Sequence, residues 1–162
     1  MRHAIALAVD RQGIQEIYGG EIFGAVADSV IPPDVPGYTA PELGLTPTGN
    51  TGEAKKLLEG KTVPPLRMAV NAEATEPRKK QIALIEANLK AAGLDVVIDR
   101  RTDEELMDLI DGVDGWDIDP AGGWCFDWPT AASVVLPLMG PNDDGTTWGS
   151  SNPAMYLSLI HI

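Results

Sequence analysis

The chain of 162 residues has one cysteine, Cys125, and two histidines, His3 and His161. A single cysteine cannot close an internal disulfide, and no C-x-x-C pair or H-E-x-x-H run is present to hold zinc. His3 lies in the first expected helix and His161 next to the last residue, so no Ser-His-Asp or Cys-His arrangement can be assembled. Basic residues are scarce too: 12 Lys and Arg stand against 24 Asp and Glu, a net charge of -12. That balance argues against a nucleic-acid partner, which needs clustered cations to meet phosphates, and against adsorption to anionic lipid. On its own it marks a solvated acidic surface. No apolar run reaches the ~18 residues of a membrane-crossing helix. Met1 is followed by Arg2, His3 and an amphipathic segment, with no leader pattern. No glycine is followed by Lys at P-loop spacing, and Gly19-Gly20 follows a helix rather than a strand, so neither nucleotide fingerprint is present.

What is present is a chain able to bury a core, with 44% hydrophobic residues, and rich in turn formers, with 17 Gly and 13 Pro. Ile5, Ala8, Val9, Ile14 and Ile17 recur at helical spacing over 2–18, with Asp10 placed to cap a second segment. Five prolines between 25 and 47 (Pro32, Pro33, Pro36, Pro41 and Pro47) exclude a helix interior or central strand there. Asn50 or Thr51 caps a short helix over 52–59. Leu66 opens a strand over 66–70. Thr75 and Pro77 start a longer helix with Ile82, Ile85, Leu89 and Ala92 on one face, and Gly93 stops it. A second strand is expected over 96–98, and then a helix capped by Thr102 with Leu106, Leu109 and Ile110 inward. A weak third strand over 116–121 is interrupted by Pro120. Strand, helix, strand, helix, strand implies βαβ units and a mainly parallel sheet, an α/β fold.

Nine acidic side chains and no Lys or Arg fall within 103–127. Asp111, Asp114, Asp117 and Asp119 do not follow the ligand spacing of a calcium loop, so no metal is expected. Nothing selects a carboxylate pair for glycoside hydrolysis. The distinctive segment is Gly122-Gly123-Trp124-Cys125-Phe126-Asp127-Trp128-Pro129, in which two Trp flank one Asp just after an expected strand. It reads as a loop pinned by its aromatics, with Asp127 in a turn contact. The alternative is a ligand-facing rim at the carboxyl end of a strand, where α/β sheets bind ligands.

Four pieces in order resemble a known family. Arg2-His-Ala-Ile-Ala-Leu-Ala-Val-Asp-Arg11 is similar to the "RxAIxxAxDR" helix of family 5 extracellular solute-binding proteins, which serve ABC importers of peptides, nickel and related solutes. Ile17-Tyr18-Gly19-Gly20 with Ile31-Pro32-Pro33-Asp34-Val35-Pro36-Gly37-Tyr38 continues the likeness. Glu53-Ala54-Lys55-Lys56-Leu57-Leu58 resembles the family's "AKxLL" helix, and Trp124-Cys125-Phe126-Asp127-Trp128-Pro129 completes it. The likeness covers 2 to about 140, nearest to peptide binders of high-GC Gram-positive bacteria. Three departures stand out: the 119–123 approach to Trp124 is one residue long and carries Pro120, Met1 replaces a usual Val, and 157–162 resembles no family segment. Residues 1–156 are therefore expected to be part of a solute-binding domain, and 157–162 a non-native tail translated from a sequencing adapter, in a chain cut at both ends.

The resemblance implies a periplasmic-binding-protein-like type II fold, of which this chain covers mostly the second lobe. It implies an oligopeptide ligand held in a closing crevice, permease subunits of an ABC importer as partners, no cofactor and no enzymatic activity. It also implies an extracytoplasmic location, with membrane attachment only through an N-terminal lipid anchor that is missing here. In the family's peptide binders the Asp of the "WCxD" loop pairs with the peptide α-ammonium, which puts that role on Asp127, with Trp124 and Trp128 walling the site. Cys125 sits beside them, and in some family members it bonds to an upstream Cys. An oligosaccharide stacked on Trp124 or Trp128, a nickel chelate, and a small hydrolase using Asp127 or Cys125 are the competing readings.

Overall fold

The computed structural model describes residues 1–29, 31–40, 42–111, 116–119 and 128–133. The chain opens with two short helices, α1 (Arg2–Ala8) and α2 (Arg11–Ile17), rather than one continuous helix. The break has a local cause. Asp10 is extended, and its carboxylate accepts the Gly13 N–H at 2.8 Å, capping α2. The Arg11 guanidinium donates to the carbonyls of Ala6 and Val9 at 3.0–3.1 Å, supplying partners for the last turn of α1. The Asp10 N–H donates to Asn88 Oδ1 at 2.9 Å, which ties the junction to the longest helix.

A 3-10 turn (Gly20–Ile22) leads into the proline-rich stretch, which carries no regular element until α3 (Thr51–Leu58). Asn50 caps α3 by accepting the Glu53 N–H at 2.9 Å. Strand β1 (Leu66–Asn71), helix α4 (Glu76–Ala91), strand β2 (Val96–Arg101) and helix α5 (Asp103–Asp111) follow. Thr75 occupies the N-cap position of α4, but its hydroxyl makes no capping bond, and Pro in the first turn supplies the start signal instead. The other end of α4 is closed by a Schellman motif. Gly93 adopts φ +88°, its N–H meets the Lys90 carbonyl at 2.9 Å, and the Leu94 N–H meets the Leu89 carbonyl at 3.0 Å. Leu94 is thereby turned inward and buried with Leu89.

β1 and β2 run parallel, from Leu66 opposite Val96 to Asn71 opposite Arg101. The expected third strand is reduced, among the described residues, to a parallel bridge from Ile118 to Met68 on the other edge of β1. Asp117 and Ile118 donate to the Arg67 carbonyl at 2.9 and 3.0 Å, and Ile118 accepts from Ala69 at 3.0 Å. The Asp117 carboxylate also accepts the Arg67 N–H at 2.8 Å, so this acidic residue replaces a strand partner at the bridge. Strand alternation sorts the two faces of β1. Leu66, Met68 and Val70 join Ile82, Ile85 and Leu89 of α4, with Ala4 and Leu7 of α1 and Ala54 and Leu58 of α3, in one core. Arg67, Ala69 and Asn71 face the other way, and Asn71 donates there to Asp103 at the start of α5. Among the described residues no helix is long and apolar enough to cross a membrane.

Candidate ligand-binding site

The chain leaves β1 through α4 to reach β2 on one side, then returns through α5 to Ile118 on the other. The strand order reverses at β1. Right-handed connections put two such crossovers on opposite faces of a sheet with that order. A parallel sheet wound in both directions opens a crevice beyond the carboxyl ends of its strands at the reversal, the usual ligand position in such sheets. Here the reversal lies between β1 and Ile118, immediately upstream of the Trp124-to-Pro129 segment in sequence.

Several polar groups on the β2 side of this end pair with one another. The Ala72 N–H donates to the Arg101 carbonyl at 2.7 Å, continuing the ladder past Asn71. Arg101 grips Asp99 with two nitrogens at 2.9 and 3.0 Å. That hydrogen bond and the charge behind it hold the Asp99 carboxyl below its ordinary range and raise the guanidinium. Thr102 and Glu105 form a capping box: the Glu105 N–H donates to the Thr102 hydroxyl at 3.3 Å, and Glu105 Oε2 accepts the Thr102 N–H at 2.9 Å. The same bonds from Thr102 lower the Glu105 carboxyl. Asp99, Arg101 and Glu105 on this side are thus engaged with near neighbours.

Of the residues expected to form the site, Trp128 is described, while Trp124, Cys125 and Asp127 lie outside the described residues. Trp128 is 72% exposed. Its carbonyl accepts the Thr130 N–H at 2.7 Å and the Ser133 hydroxyl at 2.9 Å, so a tight turn holds the backbone while the indole stays open to contact. This turn lies against the proline-rich stretch, where a Cβ placed on Gly37 would sit 3.8 Å from that of Ala131. The stretch is fastened locally by Tyr38, whose hydroxyl donates to Asp28 Oδ1 at 3.2 Å. Partial burial first, and this bond second, push the Tyr38 phenol up, whereas burial lowers the Arg11 guanidinium despite the attraction of Asp28. Sequence reading marked 31–38 as a family piece but did not place it against the turn at 128–133. The lack of any periodic signal across 25–47 left nothing from which that contact could be inferred.

The sequence model of the bacterial extracellular solute-binding proteins, family 5, matches residues 1–146. Among solved structures, the chain is similar to a periplasmic oligopeptide-binding protein of an ABC transporter from Borrelia burgdorferi. That match has TM-score 0.64 and 22% identity, over 99% of this chain and 32% of that one. CtaP, an ABC transporter substrate-binding protein from Listeria monocytogenes, gives TM-score 0.57 and 17% identity over 68% and 23%. AppA from Clostridium difficile, assigned as a peptide-binding protein, gives 0.51 and 26% over 67% and 23%. No curated protein matches. The fold is therefore periplasmic-binding-protein-like, and the chain spans between about a quarter and a third of the length of these structures.

Proposed function

We propose, from the premise that the chain belongs to the bacterial extracellular solute-binding proteins of family 5, that its parent protein is the substrate-binding component of an ABC importer and captures oligopeptides outside the cytoplasmic membrane. In this reading Asp127 pairs with the free α-ammonium of the peptide. Trp124 and Trp128 wall the pocket and keep water from that charge pair, which strengthens it. The peptide lies extended and is held mainly through its backbone, so side chains enter roomy pockets and specificity is broad. Lobe closure about hinges encloses it. Cys125 is assigned no chemical step in this reading.

The observation that carries the reading is the reversal of strand order at β1, with Ile118 docked parallel to it just ahead of the Trp124-to-Pro129 segment. The exposed indole of Trp128 supports it, and the Asp99 and Glu105 carboxylates on the β2 side already have partners. In the parent protein Asp127→Asn should weaken binding of free-amine peptides by about tenfold to a hundredfold. N-acetylated peptides should stay equally poor with either residue. Isothermal titration of a matched peptide pair measures both, and undiminished free-amine binding by the Asn variant rejects the pairing. The 72% exposure of Trp128 also suits a sugar ring stacked on the indole. An oligosaccharide arm in the same titration separates that second reading, since sugars carry no ammonium to lose.

A further inference from the structure

A second recess lies away from the sheet end. It occupies about 380 Å³ between α2 and the turn that follows it, and Gln12, Gln15, Glu21, Gly24, Val26 and Pro47 are among its walls. Hydrogen-bond accounting fixes what it offers. The Gln15 amide lies 2.6 Å from the Gly24 carbonyl oxygen, so its nitrogen faces that oxygen and Oε1 is the free end. The Gln12 amide faces the Glu16 carboxylate at 3.4 Å and is oriented in the same sense. The Glu21 carboxylate has no hydrogen-bond or ion-pair partner among the described residues, and no lining residue is Lys or Arg. Pro47 lacks an N–H, and its carbonyl already accepts the Gln12 backbone N–H at 2.9 Å. Two amide oxygens and one carboxylate without donors among the described residues thus belong to residues of this wall, alongside the apolar surface of Ala25, Val26 and Pro47. Between Glu21 and Gly24 stand Ile22 and Phe23, 90% and 78% exposed.

We propose that this recess binds a primary alkylammonium group carrying a short apolar body. The ammonium supplies three N–H donors, one for each unpaired acceptor, and a positive charge for Glu21. The alkyl chain covers the Val26 and Pro47 surface. None of these residues belongs to the 124–128 loop, so the recess stands or falls apart from the peptide-capture reading. The chemistry is shared by a free alkylamine and by a lysine side chain of a partner, and the two are told apart by using both as probes.

The test is an amide nitrogen–proton NMR titration of the full chain with n-butylammonium, with Nα-acetyl-lysine methylamide, and with tetramethylammonium, which has the charge but no N–H. Saturable shifts confined to 12–26 and 46–49 are expected with the first two, and tighter binding of the lysine probe assigns a protein partner rather than a free amine. Glu21→Gln, a change at an exposed position, should weaken both by about threefold to fivefold. Equal response to tetramethylammonium, shifts spread over the whole chain, or an unchanged affinity in the Glu21→Gln variant would each overturn the assignment.

Discussion

Two stretches of the chain hold their shape by different physics. From Leu66 to Leu94 the structure is built on burial: Leu66, Met68, Val70, Leu89 and Leu94 are each at most 1% exposed. From 9 to 53 no described residue is buried. That earlier stretch packs the partly buried Val9, Ile14 and Leu45 against the core and adds discrete polar clips to its neighbours. The Gln12 N–H donates to the Pro47 carbonyl at 2.9 Å, the Asn50 N–H to the Leu7 carbonyl at 2.6 Å, and the His3 ring lies 2.7 Å from the Leu43 carbonyl oxygen. Apolar burial is additive and tolerant of detail, whereas a clip depends on one backbone geometry. The contrast teaches that substitutions in the two regions should fail by different mechanisms and by different amounts.

The sharpest test is in the core. Leu89→Ala removes a fully buried side chain between β1 and α4 and should cost about 2–5 kcal/mol, read from the urea unfolding midpoint. A loss under ~1 kcal/mol would mean that burial is not what holds the later stretch. Next comes the tightest clip. Gly49 has φ +72°, and a Cβ there would lie 2.6 Å from the Ala8 carbonyl oxygen. Gly49→Ala should therefore cost about 1–3 kcal/mol by the same measurement, although no apolar surface is lost. Asn50→Ala removes the cap of α3 and should cost about 1 kcal/mol, with Asn50→Asp restoring most of it. Smallest of all, Tyr38→Phe removes one exposed hydroxyl bond and should shift stability by no more than ~0.5 kcal/mol in a thermal melt. A larger effect would show that the proline-rich stretch is coupled to the core, which would erase the contrast.

The sequence was most legible where structure is decided within a few residues. Asp10, Asn50, Thr102 and Gly93 act at the helix ends that their types indicate, because each cap is a contact over three or four positions. The parallel sheet was also legible, since short loops between strand and helix patterns leave few ways to connect them. Thr75 shows the limit: the right residue stands at the right place, yet its hydroxyl makes no cap bond, because position alone does not choose a rotamer. The bridge at Ile118 shows another. Its pairing with Arg67 and Met68 is fixed by the Asp117 side chain, a contact fifty positions away in sequence that no local pattern encodes. The approach of Gly37 to Ala131 is longer still. The 122–129 segment was legible from its residues as a candidate ligand rim, whereas the separate role of Asp127 came only from resemblance and rests on the binding experiment.

The parallel pairing of β1 with β2 governs how the molecule assembles as well as what it is. Every pair of partners in that ladder is separated by the whole of α4, so no hairpin can seed it, and the entropy of closing that long loop must be met before the first interstrand bond forms. Growth of α4 turn by turn draws the two strand sequences together and shortens the search. The left-handed stop at Gly93 then sends the chain back along the helix it has just left. Ile118 needs an edge to join, so its bridge should form after β1 and β2 have paired, an order that transition-state analysis of substitutions in α4 and at Ile118 checks.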